Sequence, residues 1–149
     1  MASYKLRQAT KADFDFLYTL HRSVMREYIE PIWGWHEDWQ AEYFYRKFDP
    51  AQRQIIRVND TDAGVLVVEE RQGELYLSLI ELLPPFQNKG IGTAIISDLI
   101  DRANHQRMPL SLHVLKTNLP ARKLYEKLGF VLTAEEEFRT KLTIYPKPS

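Results

Sequence analysis

The sequence predicts an α/β fold, a single mixed, mostly antiparallel sheet flanked by helices, in the order β-α-α-β-β-β-α-β-α-β-β. Two observations carry that expectation. Apolar residues switch between helical and two-residue spacing along the chain, so strands and helices share one sheet architecture rather than segregating. Three central strands are separated only by short turn-forming stretches, as an antiparallel meander requires. With 149 residues, 44% of them hydrophobic, the chain is sized for one domain, residues 1–149, around one core.

Residues Tyr4 to Ala9 form a first strand. Thr10-Lys11-Ala12-Asp13 has the pattern of a capping box, and it opens a helix whose apolar positions Phe14, Leu17, Val24 and Tyr28 share one face. Glu30-Pro31-Ile32-Trp33-Gly34-Trp35 is expected to break this helix, and a second, from about His36 to Phe48, ends near Asp49-Pro50. The meander strands are Gln54 to Val58, Gly64 to Glu70 and Leu75 to Leu83, with turns at Asn59-Asp60-Thr61-Asp62 and Gln72-Gly73. Ile91, Ile95, Ile96, Leu99, Ile100 and Ala103 then follow helical spacing until Met108-Pro109. Leu110 to Leu115 alternates as a strand. Pro120 suits the first turn of a helix with Ala121, Leu124, Tyr125 and Leu128 on one face and Gly129 as its stop. Val131 to Glu137 and Phe138 to Tyr145 make a final pair of strands.

Composition removes several function classes. Twenty basic and twenty acidic side chains cancel without a like-charge block, so nucleic acid is not an expected partner. No cysteine is present, which excludes thiolate nucleophiles, disulfides and cysteine metal sites, and suits a reducing, cytoplasmic setting. No signal-like or membrane-spanning apolar stretch is seen, so no membrane association is expected. Asn59-Asp60-Thr61 matches a glycosylation sequon but reads as a turn. His36-Glu37 lacks a second histidine four residues on, His21, His36 and His105 are scattered, and no metal is expected. His21 shares a face with Leu17 and Val24 and reads as a hydrogen-bonded helix residue. Oligomeric state does not follow from the sequence, and a homodimer is open to it.

The segment with chemical content runs from Leu82 to Thr93: a strand end, the polar turn Gln87-Asn88-Lys89-Gly90, and a helix start at Ile91-Gly92-Thr93. Such a turn aims several backbone N–H groups one way, and its glycines let a phosphate approach the main chain, so a pyrophosphate is the expected ligand. The P-loop pattern is missing, and the dinucleotide fingerprint lacks its third small residue, where Ile95 stands. Gln87-x-x-Gly90-x-Gly92 after a strand resembles the [QR]-x-x-G-x-[GA] motif of the GNAT superfamily of N-acetyltransferases. Downstream, Asn118-Leu119-Pro120-Ala121-Arg122-Lys123-Leu124-Tyr125-Glu126-Lys127-Leu128-Gly129-Phe130 resembles its later motif N-x-x-A-x-x-x-Y-x-x-x-G-F. The resemblance is specific from about Leu75 to Phe130.

The resemblance implies an enzyme that transfers an acetyl group from acetyl-CoA, as cosubstrate, to the amine of a small molecule or peptide by direct attack in a ternary complex. The strand end at Leu82 and Leu83 would pair with the pantetheine arm, Gln87 to Thr93 would hold the pyrophosphate, and Asn118 would orient the cofactor near the thioester. Tyr125 matches the family's candidate general acid, although its place on an apolar helix face also suits core packing. Two residues compete as base. His113 lies five before Asn118, where some members carry a carboxylate, and Glu81 interrupts the apolar row Leu75, Leu77, Leu79 at a strand end, where a charge needs a reason. Glu81 could instead pair locally, with Lys89, and His113 could be a hydrogen-bonded sheet residue; a water chain is a third route for the proton. Trp33 and Trp35, with Trp39, stand close to Glu27, Glu30, Glu37 and Asp38 and are expected to form the acceptor wall for a cationic amine, the other reading being anchorage to the core. The rival function is a non-catalytic acyl-CoA-binding or sensing module of the same fold, which would be free to lose Tyr125 and Asn118.

Overall fold

A computed structural model describes residues 3–148. The helices are α1 (Phe14–Trp33), α2 (Glu37–Lys47), α3 (Ile91–His105) and α4 (Leu119–Lys127). The strands are β1 (Lys5–Gln8), β2 (Gln54–Val58), β3 (Thr61–Arg71), β4 (Glu74–Leu82), β5 (Leu110–Leu115), β6 (Val131–Glu135) and β7 (Arg139–Ile144). Element order is as the sequence predicts, and the seven strands form one sheet in the order β1-β2-β3-β4-β5-β7-β6. The sheet is mixed, with a parallel ladder between β4 and β5 and antiparallel ladders for β1/β2, β2/β3, β5/β7 and β6/β7. The described chain divides into two compact units, one running to Val67 and including Leu79–Ile91, the other comprising Val68–Ser78 and the chain from Gly92.

In the first unit the capping box forms: Thr10 Oγ1 accepts from the Ala12 N–H at 3.3 Å and Asp13 Oδ2 accepts from the Thr10 N–H at 2.8 Å. It starts a short 3-10 turn, Lys11–Asp13, that runs into α1. Arg7 on β1 fixes this corner by binding Asp13 at 2.8 Å and Asp62 on β3 at 2.9 Å. Pro31 does not end α1. The helix continues to Trp33 and stops at Gly34, whose φ of 73° lies in the left-handed region and whose N–H donates to the Glu30 carbonyl at 2.9 Å. A proline inside a helix forfeits one main-chain hydrogen bond, whereas the chain reversal itself requires the backbone angle that glycine adopts freely.

The core of this unit joins Ala9, Leu17, Leu20, Phe44, Ile55 and Val65. Phe14 reaches from α1 to Phe44 and Phe48, with ring centroids 5.6 and 5.2 Å away in edge-to-face geometry, so aromatic packing sets α2 against α1. The turn between β2 and β3 tightens to Asn59 and Asp60, both left-handed at φ 51° and 63°, as a two-residue hairpin demands; Thr61 and Asp62 therefore join the strand. The register then slips by one residue between Ile56 and Arg57, with Ile56 opposite Gly64 and Arg57 opposite Asp62. Just beyond the slip, β3 lies so close to β4 that a Cβ on Gly64 would overlap the Glu81 carbonyl oxygen and sit 2.9 Å from Leu82 Cδ2. Gly64 is thus the residue that lets the end of β4 take its position.

In the second unit α3 buries Ile95, Ile96, Leu99 and Ala103. It stops before Met108-Pro109, at a left-handed Arg107 (φ 55°), where the Met108 N–H reaches back to the Ala103 carbonyl at 3.0 Å. Strand β5 pairs with β7 along its whole length, from Leu110↔Ile144 to Leu115↔Arg139. Helix α4 starts at Asn118 with Pro120 in its first turn and ends at Gly129 (φ 107°), where the Phe130 N–H closes onto the Tyr125 carbonyl at 3.0 Å.

Candidate functional site

The parallel ladder runs from Leu75↔Leu110 to Leu77↔Leu112, and β4 continues past it from Ser78 to Leu82. After β4 a short 3-10 turn, Pro84–Phe86, leads to Gln87. Asn88 (φ 58°) and Gly90 (φ 83°) are left-handed, Lys89 between them is not, and Ile91 begins α3. Backbone that alternates in hand in this way turns successive N–H groups toward one point, and the start of α3 adds its own unpaired N–H groups. Gln87, Asn88, Lys89, Gly90 and Thr93 are exposed, Gly92 is half-buried, and Ile91 anchors the turn with its side chain buried. At the strand end the Leu83 N–H donates to Ala63 at 2.9 Å, and the Gln87 amide donates to the Leu82 carbonyl at 2.8 Å. Gln87 therefore ties the turn back to β4.

Glu81 is the buried polar residue of β4, with its side chain 2% exposed. Its partner is His21 of α1, Nδ1 to Oε2 at 2.9 Å, rather than Lys89, the local partner offered as the alternative to a role as base. The missed signal was available: His21 falls four residues after buried Leu17, and a buried carboxylate and a histidine on a buried helix face satisfy one another. Arg53 lies near enough for the Glu81 charge to act on it; burial holds its guanidinium below its ordinary range, and Glu81 pulls the other way. Arg53 also sits over the Phe44 and Phe48 rings at 5.5 and 5.6 Å.

In the second unit His113 projects from β5 with both ring nitrogens engaged, Nδ1 with the Tyr76 hydroxyl at 2.5 Å and Nε2 with Glu136 at 3.0 Å. Burial, with help from Arg139, holds the imidazole below its ordinary pKa, so it is neutral near pH 7. Glu136 is held ionised by Arg139, and the Tyr76 phenol is pushed up by burial, so the network assigns the proton of Nε2 to the Glu136 side and leaves Nδ1 to accept from Tyr76. Asn118 Oδ1 accepts from the Ala121 N–H at 3.3 Å and caps α4. Tyr125 is 8% exposed, packs edge-to-face on Phe130 at 5.6 Å, and has its hydroxyl pushed up to about 12 by burial.

Trp33 and Trp39 are 51% and 55% exposed, so neither is an anchor to the core. With His21, Ile29, Gly34 and Tyr43 they line a cavity of 640 Å³ formed by α1, α2 and the link between them. Trp35 donates its indole N–H to Glu37, stands 6.0 Å from the Arg26 guanidinium and lies 6.4 Å from His21, ring to ring. Two of the four acidic groups expected to attract a cation are paired with arginines: Glu37 binds Arg22 at 2.6 Å and Glu30 binds Arg26 at 2.9 Å.

A family model described as the acetyltransferase (GNAT) family matches residues 15–130. The chain belongs to the GNAT acetyltransferase family. Among curated proteins none matches the sequence. Solved structures share the GNAT fold. A PaiA N-acetyltransferase from Thermoplasma acidophilum in complex with coenzyme A is 14% identical with a TM-score of 0.77, the match covering 96% of this chain and 99% of that one. An N-acetyltransferase from Staphylococcus aureus is 17% identical at 0.71, covering 94% and 100%. A spermidine N-acetyltransferase from Vibrio cholerae, in complex with CoA and spermine, is 21% identical at 0.67, covering 95% of each chain. Within this GNAT chain, both motif segments lie inside the family match, whose last matched residue is Phe130. Among the described residues no three His, Asp or Glu side chains converge as a metal site, and no helix is long and apolar enough to cross a membrane.

Proposed function

We propose that residues 1–149 work as one acetyl-CoA-dependent N-acetyltransferase domain in the cytoplasm, moving the acetyl group directly to an amine without a covalent enzyme intermediate or a metal. The observation that carries this reading is the alternating backbone of Asn88, Lys89 and Gly90 at the start of α3, an anion cradle that follows a strand running on past its parallel ladder. Leu82 to Thr93 would hold the pantetheine arm and pyrophosphate, with the Gln87 side chain keeping turn and strand end together. The neighbours in complex with coenzyme A, which share this fold, support the choice of donor.

In the reaction the amine nitrogen attacks the thioester carbon, the carbon–sulfur bond breaks, and the amine loses a proton. Glu81, acting through His21, is the base this geometry favours, because His113 has both nitrogens committed to Tyr76 and Glu136, whereas buried Glu81 backs His21, which itself lines the cavity between α1 and α2. Tyr125 keeps its proton at neutral pH. Passing that proton outright to a thiolate of ordinary thiol pKa ~8.5 would be uphill by about 5 kcal/mol, so Tyr125 is assigned hydrogen-bond donation to the departing sulfur. Asn118 holds the start of α4, which carries Tyr125.

Calorimetry with coenzyme A, on the wild-type chain and on Gly90→Asp, tests the reading. Gly90 is left-handed, so the aspartate strains the turn as well as adding a like charge to the anion cradle, and circular dichroism must show the variant folded. Binding by the wild type, lost by at least about tenfold in folded Gly90→Asp, is expected. Equal affinity would remove the turn from the site, and binding with no thiol release on any amine would leave a non-catalytic acyl-CoA-binding module.

A further inference from the structure

Resting on the acetyltransferase reading above, we propose that the acceptor is a small monoamine with an aromatic body, seated in the cavity between α1 and α2 with its nitrogen toward His21. The cavity, at 640 Å³, is of the size that takes a small ligand. Its walls supply the body's contacts: Ile29, Trp33, Trp39 and Tyr43, with the Trp39 and Tyr43 rings stacked 5.1 Å apart at 10° to make one flat face. Trp33, Trp39 and Tyr43 are 51%, 55% and 44% exposed, an apolar surface that a bound ring would cover.

Charge decides against the alternatives. No carboxylate lines this cavity; its polar side chains are His21, His36 and Gln40. Of the nearby acids, Glu30 is bound to Arg26 and Glu37 to Arg22, Glu27 and Glu30 border a separate groove with Arg22 and Arg26, and Asp38 is exposed and outside the cavity lining. A polyamine or aminoglycoside would bring several ammonium groups against a wall with no carboxylate to pair them, and each charge taken out of water unpaired is penalised. A monoamine brings one nitrogen, and of the three polar side chains His21 is the one backed by a buried carboxylate. His21 lines the cavity and its Nδ1 meets the buried Glu81 carboxylate, so with the Nδ1 proton directed at Glu81 the other ring nitrogen, Nε2, accepts from the amine N–H. The expectation of a cation-attracting aromatic wall is thereby narrowed to a mainly apolar slot without a carboxylate in its lining.

The test follows thiol release at saturating acetyl-CoA with phenethylamine, tryptamine, spermidine, kanamycin and a short peptide with an N-terminal Met. The kcat/KM for phenethylamine or tryptamine is expected to exceed that for each of the others by about tenfold or more, the discrimination an apolar pocket supplies. Trp39→Ala and Tyr43→Ala, at half-exposed positions, should each raise the KM for the aromatic amine by about fivefold and leave that for acetyl-CoA within about twofold, with circular dichroism unchanged. A higher kcat/KM for spermidine, kanamycin or the peptide overturns the proposal, and so does an unchanged amine KM in both variants. Should no amine release thiol, calorimetry with phenethylamine separates the two readings. Binding that Tyr43→Ala weakens by about fivefold or more upholds the occupant of the cavity and removes catalysis, and no binding, or binding unchanged in Tyr43→Ala, overturns the occupant.

Discussion

Replacing Glu81 by Gln separates the two candidate bases because the cost to the fold and the cost to the rate differ in size. The side chain is 2% exposed and Oε2 stands 2.9 Å from His21 Nδ1. Glutamine keeps the volume and one acceptor for His21 but removes the charge. A charge-assisted hydrogen bond becomes a neutral one, a loss of about 1–2 kcal/mol, and the lower desolvation cost of an amide offsets part of it, so the net change in stability is about 1 kcal/mol. Loss of a general base costs about 10²–10⁴ in rate, or roughly 3–5 kcal/mol. His113→Gln should behave the opposite way. The Tyr76 hydroxyl loses its acceptor at a buried site, about 1–3 kcal/mol of stability, while the rate stays within about threefold. Thermal denaturation gives one quantity, and a pH profile of kcat/KM by thiol release gives the other. If Glu81→Gln keeps both the rate and the acid limb of the wild type while His113→Gln loses that limb, the assignment is wrong; if both variants keep it, water carries the proton.

Gly64→Ala should lower the melting temperature by several degrees, since overpacking costs about 1–3 kcal/mol, and reduce kcat/KM by about tenfold because the strand end that carries Glu81 must move. Gly73→Ala, with no atom within 4 Å but φ at 80°, should show only the backbone strain, with activity retained; equal activity in both variants would refute the link from Gly64 to the site. Asp13 is held below the usual carboxylate range chiefly by Arg7, so its stabilisation is complete above the unfolded value of ~3.9 and is lost as pH falls through the folded one. Asp13→Asn should therefore cost about 1 kcal/mol at pH 7, the solvent-screened end for a charged hydrogen bond, and progressively less as pH falls below ~3.9, by melting across that range; a loss that does not change with pH would place the effect in the cap rather than the charge.

The order of elements was legible because most boundaries are written in residues that act locally. Thr10 and Asp13 cap, Pro120 starts a helix and Gly129 stops one, and each depends on neighbours within about a turn of chain. Pro31 shows the limit of such reading. Its missing N–H is a local penalty, and α1 continues past it until a residue able to take φ of 73° appears at Gly34. The turn of Gln87 to Gly92 was legible for the same local reason, since glycine and asparagine tolerate the left-handed angles found at Asn88 and Gly90.

Partnership across long separations was not legible in the same way. That Glu81 needs a partner follows from its place in an apolar row, but that the partner is His21, sixty positions away, depends on how α1 meets β4. Charge near the tryptophans misled for a related reason. Composition counts Glu30 and Glu37 as free to attract a cation, yet Arg26 takes the first at helical i,i+4 spacing and Arg22 takes the second across the link between two helices. The first pairing can be read from spacing; the second cannot. What lines the cavity is then aromatic and aliphatic apart from three uncharged or weakly basic groups, His36, Gln40 and His21, the last backed by Glu81. The electrostatic character of an acceptor wall is therefore set by which charges are left over after the fold has paired the rest, and the preference proposed for an apolar amine over a polycation rests on that remainder.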